Sequence, residues 1–171
     1  MNKKLFFLPF FLLTFSFFAT AQKVAVIDIA KIMEAVPEYK TANDDLDKTA
    51  NKWRQEIAQE NDKLKGLFNK YNAEQVLLTD EQKKQKEDEI MAKEKEIRDM
   101  QRDKFGPEGA LFKKRQELVK PIQDRVYTSI QKYAESRGFD FIFDKGGSAG
   151  LIYNNPNFDK TDEIIKDLKA K

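Results

Sequence analysis

The sequence predicts an α+β fold in which strands from both ends of the chain form a small β body and a long antiparallel helical coiled-coil hairpin projects from it as an arm. Three observations predict it. Short apolar, β-branched or aromatic runs stand near both ends, at Lys23–Ala30 and Phe139–Phe143. Between them lies a narrow seam of apolar residues at heptad spacing. Inside that stretch Thr79 and Gln82 have capping-box spacing, which marks the start of a second helix.

Residues 1–21 are set apart from this fold. Lys3 and Lys4 precede an almost wholly apolar run, Leu5–Phe18, and Ala19-Thr20-Ala21 offers small residues at a cleavage site. That is the layout of a secretory signal peptide cut after Ala21. As a helix, Leu5–Phe18 would cover about 21 Å against a hydrocarbon core of about 30 Å, so a retained membrane anchor fits less well. No cysteine follows, which excludes a lipid anchor on the new N-terminus.

Cleavage changes the charge. Taking Lys3 and Lys4 from 31 basic residues leaves 29, against 29 acidic ones. A polyanion needs uncompensated Lys and Arg, so nucleic acid is not expected as a partner. The chain has no Cys and no His. Disulfides, cysteine nucleophiles, Ser-His-Asp relays, imidazole bases and Cys/His zinc sites are thereby excluded. No catalytic, cofactor-binding or metal-ligating residue is expected, and the chain is not read as an enzyme.

Taken in order, Lys23–Ala30 reads as a buried strand, with Asp28 capping the turn that follows rather than holding a phosphate or a metal. After Pro37, Leu46, Ala50, Trp53, Ile57, Glu60, Leu64, Leu67 and Tyr71 alternate by four and three positions, a coiled-coil seam with one polar interruption at Glu60. This predicts a helix from about Glu38 to Leu77. Val76-Leu77-Leu78 precede the cap and can staple it, and so short a connection makes the next helix antiparallel to the first. Asp80–Lys104 is densely charged with mixed signs, and Ile90 and Ile97 keep the seven-residue step. Disorder competes for this stretch, but the cap, the seam and pairs such as Glu89 with Lys93 favour a helix of marginal stability. Gly106-Pro107-Glu108-Gly109 predicts a break. Helical spacing resumes from Leu111 to Tyr133, with Pro121 a place for a bend, and Gly138 stands where a C-cap belongs.

Phe139-Asp140-Phe141-Ile142-Phe143 and Leu151-Ile152-Tyr153 read as two strands, joined by Lys145-Gly146-Gly147-Ser148-Ala149-Gly150. A phosphate-cradling loop needs a helix after it and ends in Gly-Lys-Ser/Thr. Neither is present, so the loop reads as a hairpin turn. Asn154-Asn155-Pro156 turns again, and Asp159 or Thr161 caps a last helix bearing Ile164, Ile165 and Leu168. The expected organisation is a body and oligomerisation unit from 22–37 and 138–171, and an arm over 38–137 with its tip near 76–80 and its break near 106–109. The body's core would hold Val24, Val26, Ile27, Phe141, Phe143 and Ile152. So small a core without disulfides calls for self-association.

A signal peptide, KVAVIDIAKIM, a charged hairpin and the closing stretch FDFIFDK…LIYNNPNFDKTDEIIKDL resemble the Skp/OmpH family of periplasmic outer-membrane-protein chaperones. The similarity runs over essentially the whole mature chain, and the Gly-Pro-Glu-Gly break departs from a simple hairpin arm. The resemblance implies a jellyfish-like homotrimer in the periplasm, an ATP-independent holdase without cofactors that keeps unfolded outer-membrane β-barrel proteins from aggregating in transit. Weak contact with a membrane surface goes with that location. The alternative is a coiled-coil spacer or assembly factor that binds one folded envelope partner. At the arm tip, Tyr71, Val76, Leu77 and Leu78 are candidates for client contact, though packing of the helical turn accounts for them more simply.

Overall fold

A computed structural model describes residues 22–147 and 150–169. The expected signal peptide lies outside them, as do Ser148 and Ala149 of the glycine-rich loop. The described elements are β1 (Val24–Ile27), α1 (Ile29–Glu34), α2 (Pro37–Glu74), α3 (Asp80–Phe105), α4 (Ala110–Arg137), β2 (Phe141–Asp144), a single 3₁₀ turn (Pro156–Phe158) and α5 (Thr161–Lys169). The fold is mostly helical, with a small two-stranded sheet made by the chain ends and a long helical hairpin. It divides into two units. One is Met33–Thr128, and the other joins the N-terminal part up to Ile32 with Ser129–Lys171.

In the terminal unit β1 is the centre. It pairs with β2 in parallel, in the register Val24↔Phe141, Ala25↔Ile142, Val26↔Phe143 and Ile27↔Asp144. On its other edge Val26 forms a parallel bridge with Asp159, and the Lys160 N–H donates to the Val26 carbonyl at 2.8 Å. Ala25, Val26 and Ile27 are buried, as is Ile164 of α5. β1 therefore reads as a continuous apolar run because it is covered on both faces and bonded on both edges. Before β2, Gly138 takes a left-handed conformation (φ 66°) and the Phe139 N–H reaches back to the Ala134 carbonyl at 3.0 Å. This is the glycine-based helix stop that the sequence predicts.

Two expectations for this unit are corrected. Leu151–Tyr153 forms no strand, and Gly146 follows β2 without leading into a hairpin. β2 pairs on one edge only among the described residues, with β1, and the Asp144 carboxylate accepts the Gly146 N–H at 3.1 Å and the Ile29 N–H at 3.2 Å. The chain end is thus turned by side-chain bonds to the backbone, not by cross-strand pairing. The expected core also divides. Val26 and Ile27 are buried and Val24 is half-buried, but Phe141 and Phe143 are exposed and Ile152 is fully so.

In the unit Met33–Thr128, α2 is one helix of 38 residues, about 57 Å long. It ends at Glu74, three positions before the expected Leu77. Thr79 and Gln82 form the full reciprocal cap, with the Gln82 N–H donating to Thr79 Oγ1 at 3.3 Å and the Thr79 N–H to Gln82 Oε1 at 3.0 Å. Of the expected staple only Leu78, directly before the cap, is half-buried; Val76 and Leu77 are each 84% exposed. The seam is narrow: Ala42, Leu46, Ala50 and Ile57 are buried on α2, and Ile90 and Ile97 on α3. α4 runs through Pro121 as one helix.

Ile164→Ala should remove about 2–5 kcal/mol of stability, because the side chain is fully buried. Denaturant unfolding of the terminal unit checks this; a loss below about 1 kcal/mol would mean that α5 does not hold the core.

Candidate functional site

The arm is built from side chains that bridge α2 to the returning helices. Near its start the Arg125 guanidinium donates to Glu38 Oε1 at 2.9 Å. Further out, Trp53 meets Phe105 edge-on with ring centroids 6.1 Å apart. Then Glu60 pairs with Lys93, and nearest the turn the Tyr71 hydroxyl donates to Glu87. As the α2 partner advances from 38 to 71, the other falls from 125 to 87. That is an antiparallel pairing, fixed at four levels by polar or aromatic contacts.

Glu60, the one polar residue of the seam, is not left alone. Lys63 lies 2.8 Å from Glu60, and Lys93 also reaches Glu96 at 2.9 Å. Hydrogen bonds from Lys63 and Lys93 hold the Glu60 carboxyl below the usual carboxylate range, and Glu60 in turn raises Lys93. A single satisfied polar group in an apolar seam favours one register over its neighbours at some cost in burial. Around this seam the surface is densely charged, with ion pairs such as Lys86–Glu89, Lys95–Asp99 and Arg102–Asp99, and apolar side chains interrupt it. Phe68, Met91 and Phe112 are exposed, and so are Val76 and Leu77 in the turn.

The four tip residues therefore separate. Val76 and Leu77 sit together, open to solvent. Tyr71 is half-buried with its hydroxyl engaged by Glu87, which raises its pKa, and Leu78 is half-buried under the cap. Sequence reasoning missed Phe68 and Met91, which stand off the seam; seven-residue spacing finds only what faces the partner helix. It also missed the cluster where Lys104 lies 4.7 Å from the Trp53 ring and Arg54 lies 5.7 Å from that of Phe105.

In the terminal unit the exposed apolar residues collect on β2 and after it. Phe141 and Phe143 share one face of the strand and stack with centroids 6.3 Å apart. Leu151, Ile152, Tyr153 and Phe158 are exposed as well. Among the described residues β2 pairs on one edge only. An apolar face beside an open strand edge is the kind of surface that other polypeptide covers.

A polar latch ties the last helix to β1. The Asp28 N–H donates to Thr161 Oγ1 at 3.0 Å, and that hydroxyl donates to Asp159 Oδ1 at 2.6 Å. Lys145 closes it from the other side, 2.9 Å from Asp159 and 3.8 Å from Asp28. Burial pushes the Asp159 carboxyl up, but the Thr161 hydroxyl, the Lys145 ammonium and the Thr161 amide together outweigh it and hold the group at about 2. Asp28 also caps α1, accepting the Lys31 N–H at 3.0 Å. Nearby, Tyr133 donates to Glu163 at 2.6 Å; burial and then that carboxylate push its pKa up to about 12. Among the described residues no carboxylate cluster is placed to hold a metal ion, and no buried side-chain polar atom lacks a partner. The polar groups of this unit are spent on one another, as structural networks are.

A family model described as outer membrane protein (OmpH-like) matches residues 23–168. A search of curated proteins finds no match. Among solved structures, the chain is similar to that of an OmpH-like protein from Caulobacter crescentus, described as a candidate outer membrane chaperone. The TM-score is 0.69 at 14% identity, over 89% of this chain and 86% of that one. At that identity the likeness concerns the fold.

The latch gives a pH dependence with a definite sign. Asp159 is depressed on folding, from 3.8 to about 2, so its contribution is complete above pH 4 and fades as pH falls toward 2. Asp159→Asn should cost about 1–2 kcal/mol at pH 7 and much less at pH 2.5. Urea midpoints at the two pH values check this, and an equal loss at both would remove the carboxylate from the account.

Proposed function

The chain belongs to the OmpH-like family, and from that premise we propose that it is an ATP-independent holdase chaperone, which shields unfolded outer-membrane β-barrel proteins in the periplasm. The observation that carries the reading is the arm's surface. Exposed apolar side chains, Phe68 and Met91 apart and Val76 with Leu77 in the turn, stand among dense charge. Each offers a shallow contact worth under about 1 kcal/mol. Many such contacts hold an unfolded chain without fixing its sequence or its conformation, and none is strong enough to prevent release. The surrounding charge keeps the arms from adhering to each other.

Self-association belongs to the same proposal. The open edge of β2, the stacked Phe141 and Phe143, and the exposed Leu151–Tyr153 stretch support a terminal unit that assembles with copies of itself, as a homotrimer. Val24, Val26 and Ile27 would form the inner layer of that hub, and Phe141, Phe143 and Ile152 its contact layer. The arms over 38–137 would then surround a client. Residues 1–21 would direct export and be removed, and weak contact with a membrane surface is part of the same setting.

A urea-unfolded β-barrel protein diluted into buffer with the mature chain and no nucleotide should stay clear, and the chaperone alone should scatter as three protomers. Aggregation at the rate seen without the chain would end the holdase reading. Indifference to unfolded chains, with capture of one folded envelope protein, would favour the spacer. Val76→Asp combined with Leu77→Asp should weaken client binding about two- to fivefold, the scale of one or two lost shallow contacts. Unchanged affinity by titration would remove the tip from the contact surface.

A further inference from the structure

The break in the arm has a construction of its own. α2 passes residue 53 without interruption, whereas the chain that returns beside it stops at Phe105 and restarts at Ala110. One backbone hydrogen bond runs between the gap residues themselves, from the Gly109 N–H to the Gly106 carbonyl at 2.9 Å, while the Gly106 N–H still donates to the Arg102 carbonyl at 2.8 Å and the Gly109 carbonyl accepts from the Lys113 N–H at 3.1 Å. Pro107 has no N–H to give. Both glycines are sterically required. A Cβ on Gly106 would lie 2.5 Å from the Arg102 carbonyl oxygen, and one on Gly109 would lie 2.9 Å from the Gly106 nitrogen. The backbone is thus folded tightly upon itself at this point, with slack stored in it.

The aromatic cluster sits at the same level. Phe105 is the last residue of α3, and Trp53 of α2 meets it edge-on at 6.1 Å. Lys104 and Arg54 cover the two rings with their charges. Contacts of this sort are individually weak, enough to favour one arrangement and too little to lock it.

We propose that Gly106–Gly109 is an expansion joint, and that Trp53 and Phe105 form the latch that holds it closed. With helix axes about 9 Å apart, bending the arm by about 20° lengthens or shortens the path of one helix by about 3 Å relative to the other, two residues of helical rise. An unbroken pair of helices would have to rupture hydrogen bonds to take up that difference. Here α2 bends as a continuous spring, and the gap opens or closes at the cost of one backbone bond and the Trp53–Phe105 contact. The joint is a property of the arm alone, whatever the arm binds.

The chain has no cysteine, so Asp88→Cys and Gln116→Cys give two unique spin-label sites on either side of the joint, about 40 Å apart along the helices. Double electron–electron resonance, with labelled chain diluted into unlabelled, reads their distance distribution. Phe105→Ala should broaden it about twofold, and replacing Gly106, Pro107 and Gly109 together by alanine should narrow it. Trp53 is the only tryptophan, so Phe105→Ala should also raise acrylamide quenching of its emission about twofold. Should the triple alanine variant lose helical circular dichroism, Phe105→Leu, which keeps the bulk and removes the ring contact, decides by the same distance measurement. A distribution unchanged by Phe105→Ala, or by Phe105→Leu, overturns the proposal.

Discussion

The structure depends on the pairing of two four-residue strands that the chain keeps far apart. Lys23 and Asp140 are 117 positions apart and are joined by a hydrogen bond of 2.7 Å beside that pairing. Closing a flexible loop of that length costs about 4 kcal/mol in chain entropy beyond the fixed term. Two strands of this size do not repay it. What makes the pairing stable is that the intervening chain is not a flexible loop. The capped, antiparallel hairpin of α2 and α3 returns the chain and shortens the segment whose freedom is lost. The latch of Asp28, Lys145, Asp159 and Thr161 then adds the second edge of β1.

The two units follow opposite strategies. In the terminal unit β1 is almost dry, and its polar neighbours satisfy one another within hydrogen-bond distance. In the arm few side chains are buried, and four cross-contacts set the register. Glu60 shows the difference well. In a dry core it would be a serious cost, but on this seam the ammonium groups of Lys63 and Lys93 replace the water that the carboxylate gives up. A structure held together in this way resists sliding more than bending.

Local chemistry was legible in the sequence where a few adjacent residues decide the outcome. The Thr79–Gln82 cap, the Gly138 helix stop, the break at Gly106–Gly109 and the Asp28 cap each depend on contacts within a few positions, and each lies where the letters place it. The heptad seam was legible because burial on a helix leaves a periodic trace. Strand pairing was not, since β2 can face either direction once a long excursion separates it from β1. Leu151–Tyr153 is apolar enough to read as a strand, yet it forms none and the second edge of β2 stays open among the described residues. Phe141 and Phe143 misled for a related reason: aromatic side chains favour strands whichever face they take, so the letters do not tell a buried face from an exposed one. The contacts of Trp53 with Phe105 left no signal beyond composition, because they join positions far apart in the chain.

The order in which the polypeptide is made gives β1 a particular history. It is made before the helices of the hairpin, and its partners only after them. Until residues 141–144 and Asp159 have been delivered, Val24–Ile27 lacks the strand and the bridge that bond its two edges. The helices between can coil as they appear, but the sheet closes only once Asp159 has followed them. Such a polypeptide stays pliant until that point and stiffens only then.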